Sequence, residues 1–204
     1  MMEQKFSFQY LFPSAYVVFS NINFDHNLIY KELKKIKYDK CDAAQTEITK
    51  SNKIFNKIKK GKELKNVLEI YVRSAIQEVF KYKIDVNLVN MWGTKTTKGV
   101  VGEIHSHNNF WFTCCYYPHG TTKDKYRIKF FPQIKQHYDI PIIHYNELNC
   151  LSWTQEITKG DLIVFPANIN HKIDFNKSNT TRYSIAANFL PKGKIGEKDG
   201  ELVL

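Results

Sequence analysis

Arginine is scarce in this sequence, and its scarcity limits what the positive charge can mean. Of 30 basic residues among 204, only Arg73, Arg127 and Arg182 are arginine, which leaves 30 − 3 = 27 lysines and a net charge of +10. Proteins that read bases and phosphates rely on the planar guanidinium fork. We therefore expect no specific nucleic-acid partner. The lysine-rich stretch 31–65 is interpreted as a solvated helical face, with non-specific attraction to polyanions as the alternative.

Cysteine and long apolar runs are also sparse. The four cysteines, Cys41, Cys114, Cys115 and Cys150, show no C-x-x-C spacing, and two of them are adjacent, where an ordinary disulfide is strained. We expect free thiols in a reducing, intracellular compartment. The sequence lacks an apolar run of about eighteen residues and a basic N-terminal region followed by a cleavage site, so it predicts no membrane span and no signal peptide.

The residue pattern of the chain changes near residue 82. Before that point, apolar residues recur at helical spacing from Asp25, a candidate N-cap, to about Lys37, and again over 51–81 with a break near Gly61. A polar interval through Thr46 separates the two stretches. We predict an N-terminal layer of short strands and helices over residues 1–82.

After residue 82 the segments are short, rich in β-branched and aromatic residues, and separated by Gly, Pro, Asn and Asp. About eight strands are predicted: 84–92, 99–107, 110–117, 126–131, 141–145, 150–157, 161–165 and 182–189. This density predicts a mainly β fold with N-terminal helices, whose core over residues 83–190 is a double-sheet jelly roll. We expect a single domain, 1–204, that ends in an exposed tail over 191–204.

Two of the seven histidines form an H-x-H pair on a predicted strand, His105-Ser106-His107. Residues i and i+2 of a strand project from one face, about 7 Å apart along the chain. Two imidazoles so placed can converge on one metal ion. A third histidine, His171, follows a turn glycine, an apolar strand and a short loop in the segment GDLIVFPANINH. His105, His107 and His171 are therefore candidate metal ligands.

Arg182 lies eleven residues after His171 (182 − 171 = 11) and begins an otherwise apolar strand, RYSIAANF. A buried guanidinium without a partner costs several kcal/mol. The residues that follow on the same strand face, Ser184, Ala186 and Asn188, carry no charge. The partner of Arg182 is therefore either an acidic residue elsewhere or the carboxylate of a ligand, gripped bidentately.

Together these elements resemble the 2-oxoglutarate/Fe(II)-dependent oxygenases, in particular small members from marine bacteria and their phages. The resemblance extends over residues 10–190 and rests on Tyr10-Leu-Phe-Pro13, Trp92-Gly-Thr, His105-Ser-His107-Asn-Asn, Cys115-Tyr-Tyr, G-D-L-x-x-F-P-x-x-x-x-H and R-x-S-x-x-x-N. It implies a double-stranded β-helix of the cupin type that uses Fe(II), 2-oxoglutarate and O2, with ascorbate as a stimulant. It also implies a cytoplasmic protein, in the host cytoplasm if the source is a phage.

The resemblance further implies a role for each site residue. His105 and His171 correspond to the first and the distal iron ligand. Arg182 and Ser184 correspond to the clamp on the distal carboxylate of 2-oxoglutarate, and Tyr117 adds a hydrogen bond to that carboxylate. The implied reaction is oxidative decarboxylation of 2-oxoglutarate to succinate, coupled to hydroxylation of a small-molecule or peptide substrate.

The sequence departs from the family at residue 107. Most members present H-x-D or H-x-E, which completes a 2-His-1-carboxylate triad, whereas this chain has His107. Glu103 lies on the same predicted strand face and is the alternative third ligand; we favour His107. Three rival functions remain: a three-histidine zinc enzyme, a cupin-type dioxygenase that needs no 2-oxoglutarate, and a non-catalytic jelly-roll binding module. The zinc and cupin readings leave Arg182 without a role.

Overall fold

The computed structural model describes residues 7, 9–10, 12–41, 44–133 and 140–204. The strands within these ranges are β1 Val17–Phe19, β2 Tyr38–Cys41, β3 Ala44–Thr49, β4 Asp85–Thr96, β5 Phe112–Tyr116, β6 Tyr126–Phe131, β7 Trp153–Ile157, β8 Leu162–Pro166, β9 Asn170–Ile173, β10 Arg182–Lys192, β11 Lys194–Ile195 and β12 Leu202–Val203. The helices are α1 His26–Leu33 and α2 Gly61–Ser74, which continues into a π-helical turn, Ala75–Val79; single 3-10 turns occur at Ile54–Asn56 and Lys198–Gly200. None of the helices in these ranges combines the length and the apolar character that crossing a membrane requires.

Two antiparallel sheets form the jelly roll. The larger has the strand order β1-β8-β5-β10-β4-β3-β2, and the smaller has the order β7-β6-β9. Side chains alternate along the central strands: Ile185 and Ala187 of β10 join the core under the helices, whereas Ser184, Ala186 and Asn188 line a cavity between the sheets. The predicted mainly β fold with N-terminal helices is confirmed.

The helices cover the outer face of the larger sheet. The Asp25 carboxylate caps α1 by accepting a hydrogen bond from the Leu28 amide at 3.0 Å, as the sequence predicts. Over 51–81 the chain forms a 3-10 turn and then α2, which begins at the predicted break. A Cβ on Gly61 would lie 2.8 Å from the Phe55 carbonyl carbon, so the turn into α2 has room only for glycine.

Five strands occur where the sequence suggested none, and two of them, β11 and β12, lie in the predicted exposed tail. β2 and β3 lie in the segment taken as a polar interval, and β9 lies where a loop was expected. β3 pairs with β4, placing Glu47 opposite Lys95, and their side chains form an ion pair at 2.9 Å. Polar side chains on the solvent face of an outer strand hide the apolar alternation that identifies a strand, which explains why β2 and β3 were missed.

Two predicted strands are absent from the described residues. The segment 99–107 is irregular and meets β9 through an isolated bridge between His105 and His171. The segment 141–145 has no strand partner, and its apolar side chains Ile143 and Tyr145 are exposed. The short strand expected over 5–20 is β1; residues 5, 6, 8 and 11 of that segment lie outside the described residues.

The N-terminal and C-terminal parts of the chain share one sheet. β1, β2 and β3 extend the larger sheet that β4, β5, β8 and β10 form. Residues 1–82 therefore contribute strands to the jelly roll as well as the helical layer. The last residues form the small β11–β12 hairpin, in which the main chains of Gly193 and Leu204 exchange hydrogen bonds of 2.8 and 3.0 Å.

Candidate active site

Three histidines converge in the cavity between the sheets. Their ring nitrogens lie within 4.8 Å of one another. The ring centroids are 5.2 Å apart for His105 and His107, 4.5 Å for His105 and His171, and 5.1 Å for His107 and His171. Reciprocal main-chain hydrogen bonds of 3.0 and 2.9 Å join His105 to His171. The H-x-H pair and the distant histidine that the sequence singled out are thus brought together.

The hydrogen bonds of two of these rings fix their tautomers. His105 Nδ1 lies 2.9 Å from the Glu103 main-chain oxygen, and His171 Nδ1 lies 2.9 Å from the Ile169 main-chain oxygen. Because a carbonyl oxygen only accepts, each Nδ1 carries the proton. In the neutral ring, Nε2 then keeps its lone pair, which is the form that binds a metal ion.

Burial favours the neutral form of two of the three histidines. Burial and the nearby His105 together lower the pKa of His171 to about 3. Burial also lowers the pKa of His107, although its hydrogen bond to Asn188 opposes that shift. Neutral imidazoles at neutral pH can bind a divalent cation without first losing a proton.

Glu103 does not join the cluster. Among the described residues, the group of potential ligand atoms within 4.8 Å consists of three imidazoles and no carboxylate. The main-chain oxygen of Glu103 contacts His105, while the residue itself is exposed. The cluster therefore offers three imidazole nitrogens and no carboxylate oxygen.

A buried arginine begins the strand that lines the cavity. Arg182 is only 1% exposed and stands at the start of β10, on the face whose later residues line this cavity of about 550 Å³. Its Nη1 donates to the Arg127 main-chain oxygen at 3.2 Å. Its Nε and Nη2 are buried and have no hydrogen-bond partner among the described residues. Such a charge costs several kcal/mol unless an anion meets it.

The groups around Arg182 do not neutralise its charge. Burial raises the pKa of the Tyr117 phenol well above its ordinary value and raises the pKa of the Cys115 thiol to about 12. Both groups are therefore uncharged at neutral pH. Asp174 acts on Arg182 electrostatically, but the two form no ion pair within 4.0 Å among the described residues. Tyr117 and Ser184 line the same cavity and supply hydroxyl groups.

Two further residues, to which the sequence analysis assigned no role, complete the site. The amide oxygen of Asn188 lies 2.5 Å from His107 Nδ1, and the hydroxyl of Thr113 lies 3.3 Å from the same nitrogen. The R-x-S-x-x-x-N spacing carried a signal for Asn188, because residues 182 and 188 lie on one face of a strand. Thr113 carried none, since its position depends on the pairing of β5 with β10.

Part of the chain matches one protein family. Residues 90–188 match the family described as "Putative 2OG-Fe(II) oxygenase". No functionally curated protein matches the chain.

Several solved structures share the fold at low sequence identity. HygX from Streptomyces hygroscopicus, solved with nickel, 2-oxoglutarate and hygromycin B, has a TM-score of 0.63 at 10% identity, covering 87% of this chain and 83% of its own. A Pseudomonas putida prolyl-4-hydroxylase gives 0.59 at 10% identity, covering 88% and 94%. A prolyl hydroxylase from Trichoplax adhaerens, in complex with a hypoxia inducible factor peptide, gives 0.60 at 10% identity, covering 86% and 83%.

Proposed function

We propose that the chain is a 2-oxoglutarate/Fe(II)-dependent hydroxylase with a three-histidine iron centre, because residues 90–188 match the family of putative 2OG-Fe(II) oxygenases. His105, His107 and His171 hold Fe(II). Arg182 holds the distal carboxylate of 2-oxoglutarate, and the hydroxyls of Ser184 and Tyr117 assist it. The neutral imidazoles and their free Nε2 lone pairs support the first assignment.

The observation that carries this proposal is the unpaired guanidinium of Arg182. Two of its donors are buried without a partner among the described residues, at the start of the strand whose Ser184, Ala186 and Asn188 line the cavity that contains the histidine cluster. A bidentate carboxylate would satisfy both donors and the charge. A zinc hydrolase or a cupin that needs no 2-oxoglutarate would leave this cost uncompensated, and so would a non-catalytic binding module.

The chain's own residues bind and orient the reactants. The chemistry that bound Fe(II) supplies with 2-oxoglutarate is O2-dependent oxidation of a C–H bond, with succinate and CO2 as coproducts. The main-chain carbonyls of Glu103 and Ile169 keep two imidazoles in the metal-binding tautomer. The apolar walls contributed by Ile128 and Ile173 exclude water and strengthen the attraction between Arg182 and the cosubstrate.

We propose a small molecule or a peptide as the substrate. A hygromycin B complex of HygX and a peptide complex of the Trichoplax prolyl hydroxylase support either class, since both proteins share the fold. Incubation with Fe(II), 2-oxoglutarate, ascorbate and pools of peptides or small molecules should yield a product that has gained one oxygen atom. Mass spectrometry detects this gain, and its absence from every pool would argue for the binding-module alternative.

Binding of 2-oxoglutarate to the anaerobic Fe(II) protein tests the cosubstrate assignment directly. We expect a visible charge-transfer band as the 2-oxo acid is added. Arg182→Met should weaken binding by about 2–5 kcal/mol, because a desolvated charged pair is lost. The matched control is Arg127→Met, since the Arg127 side chain alternates away from Ile128, which lines the cavity. Equal affinity in Arg182→Met and wild type would refute the clamp.

A further inference from the structure

The three histidines are held in two different ways. Main-chain oxygens accept the Nδ1 protons of His105 and His171, and no substitution at those carbonyl positions removes them. The Nδ1 of His107 instead faces two side chains, Asn188 and Thr113. The geometry of His107 therefore depends on residues that evolution or mutagenesis can change.

Thr113 determines which nitrogen of His107 carries the proton. Its hydroxyl donates to the Ala187 main-chain oxygen at 3.0 Å, so it has only an acceptor lone pair left for His107 Nδ1, 3.3 Å away. The Asn188 amide oxygen, 2.5 Å from the same nitrogen, is also an acceptor. Two acceptors facing Nδ1 require the proton there. The lone pair is then on Nε2, whereas the opposite tautomer would present an N–H to the metal.

The sheet fixes the position of Asn188 beside His107. Asn188 is only 4% exposed and lies directly opposite Thr113 on β5 and Asn90 on β4. A register shift between β10 and β4 falls between Asn188 and Phe189. Such irregularities occur beside active sites, where they re-aim a side chain. Arg182 begins the same strand, so β10 contributes to both halves of the site.

We infer that Asn188, assisted by Thr113, is a positioning residue that holds His107 as the Nδ1–H tautomer and thereby completes the metal centre. The inference rests on the proposed function only in requiring that the three histidines bind a divalent ion. It explains how a histidine can bind the metal ion at a position where the family usually has a carboxylate. Asn188 and Thr113 accept the Nδ1 proton and leave the Nε2 lone pair for the ion.

The test measures Ni²⁺ affinity by calorimetry and the His107 tautomer by ¹⁵N NMR of the metal-free protein. Asn188→Ala should lower Ni²⁺ affinity by about 10–100-fold and should lose the pure Nδ1–H signature. Asn188→Asp, which still accepts the proton, should keep both. Asn90→Ala, the control directly across the β10–β4 pair, should match wild type.

Two outcomes would overturn the inference. One is wild-type Ni²⁺ affinity in Asn188→Ala. The other is an Asn188→Asp variant that loses as much affinity as Asn188→Ala with an unchanged tautomer, which would make the residue merely structural. If Asn188→Ala fails to fold, Thr113→Val keeps the side-chain volume and should show a smaller loss in the same direction. Unchanged Ni²⁺ binding in His171→Ala would instead refute the metal centre itself.

Discussion

Residue 107 sets the charge of the metal centre. Three neutral imidazoles leave a bound divalent ion with one negative charge fewer than a 2-His-1-carboxylate triad gives it. Replacing His107 with Asp should therefore keep or raise the affinity for Fe(II), because a carboxylate suits a hard divalent ion. The Asn188 amide, whose oxygen lies 2.5 Å from His107 Nδ1, can turn and donate a hydrogen bond to the new carboxylate. Anaerobic Fe(II) titration of wild type, His107→Asp and His107→Ala measures this.

Glu103→Gln is the control for that titration and should bind Fe(II) like wild type, since its carboxylate is not part of the three-nitrogen cluster. If Glu103→Gln abolishes binding while His107→Ala does not, Glu103 is the third ligand and the charge argument reverses. Unchanged binding in His107→Ala alone would already exclude the three-histidine centre.

The sequence was informative about side chains whose chemistry is explicit. The H-x-H spacing and the distant His171 predicted which histidines would meet. The role of Asn188 was not predictable, because it depends on the cross-strand register with Thr113 and on the direction in which one amide points. Neither property follows from spacing along a single strand.

At the scale of elements, one carboxylate ties together the two turns that precede β6 and β10. The Asp124 carboxylate accepts hydrogen bonds from the Thr121 amide and hydroxyl, both at 2.8 Å, from Ser178 at 2.7 Å and from Thr180 at 2.6 Å. Thr180 lies two residues before Arg182, so this clamp anchors the end of the strand that carries the guanidinium.

Asp124→Asn should lower the free energy of unfolding at pH 7 by about 1–3 kcal/mol, since an amide cannot accept as many of these bonds. Burial alone would raise the pKa of Asp124, but the hydrogen bonds from Ser178, Thr180 and Thr121 bring it well below its ordinary value. A carboxyl whose pKa is lower in the folded state stabilises the fold above the unfolded pKa, about 3.9, and loses that contribution as the pH falls further.

Urea unfolding of wild type and Asp124→Asn at pH 7 and pH 3 measures both effects. Wild type should lose more stability than the variant between the two pH values. Asp25→Asn is the matched control, because asparagine caps a helix about as well as aspartate and should change stability little. A variant as stable as wild type at pH 7 would mean that the clamp contributes nothing to the fold.

The elements also mark where sequence patterning fails. Strong alternation and buried apolar runs predicted β4, β5, β6, β8 and β10, because both faces of these strands are covered. The outer strands β2 and β3 escaped prediction because their polar residues face solvent. In the segment 99–107, the histidines attach to β9 through a single bridge, which requires no regular strand.

At the scale of the whole molecule, the distribution of positive charge favours binding of an anion at Arg182. The chain carries 30 basic residues, yet the described residues that line the active-site cavity include no lysine or arginine, and Glu103 is the charged residue among them. Arg182 is buried at the start of β10, the strand whose Ser184 lines the cavity. Under the proposed function, a dicarboxylate that enters the cavity meets its counter-charges at Arg182 and at the metal ion rather than at surface lysines.

The stability of the whole protein should therefore depend on what Arg182 meets. In the ligand-free protein, Arg182→Met removes a buried, unpaired charge, and the Arg127 carbonyl it contacts still accepts from the Asp174 amide at 3.1 Å. The ligand-free variant should be more stable than wild type by about 1–4 kcal/mol.

Ni²⁺ and 2-oxoglutarate at about 100 times their Kd should each stabilise wild type by about 2.7 kcal/mol. The variant should retain the Ni²⁺ step, lose the 2-oxoglutarate step, and return to its starting Tm with EDTA. The melting temperatures of wild type and Arg182→Met without ligand, with Ni²⁺, with Ni²⁺ and 2-oxoglutarate, and after EDTA measure these changes in stability. If ligand-free Arg182→Met is less stable than wild type, Asp174 or another protein group already pairs with the guanidinium.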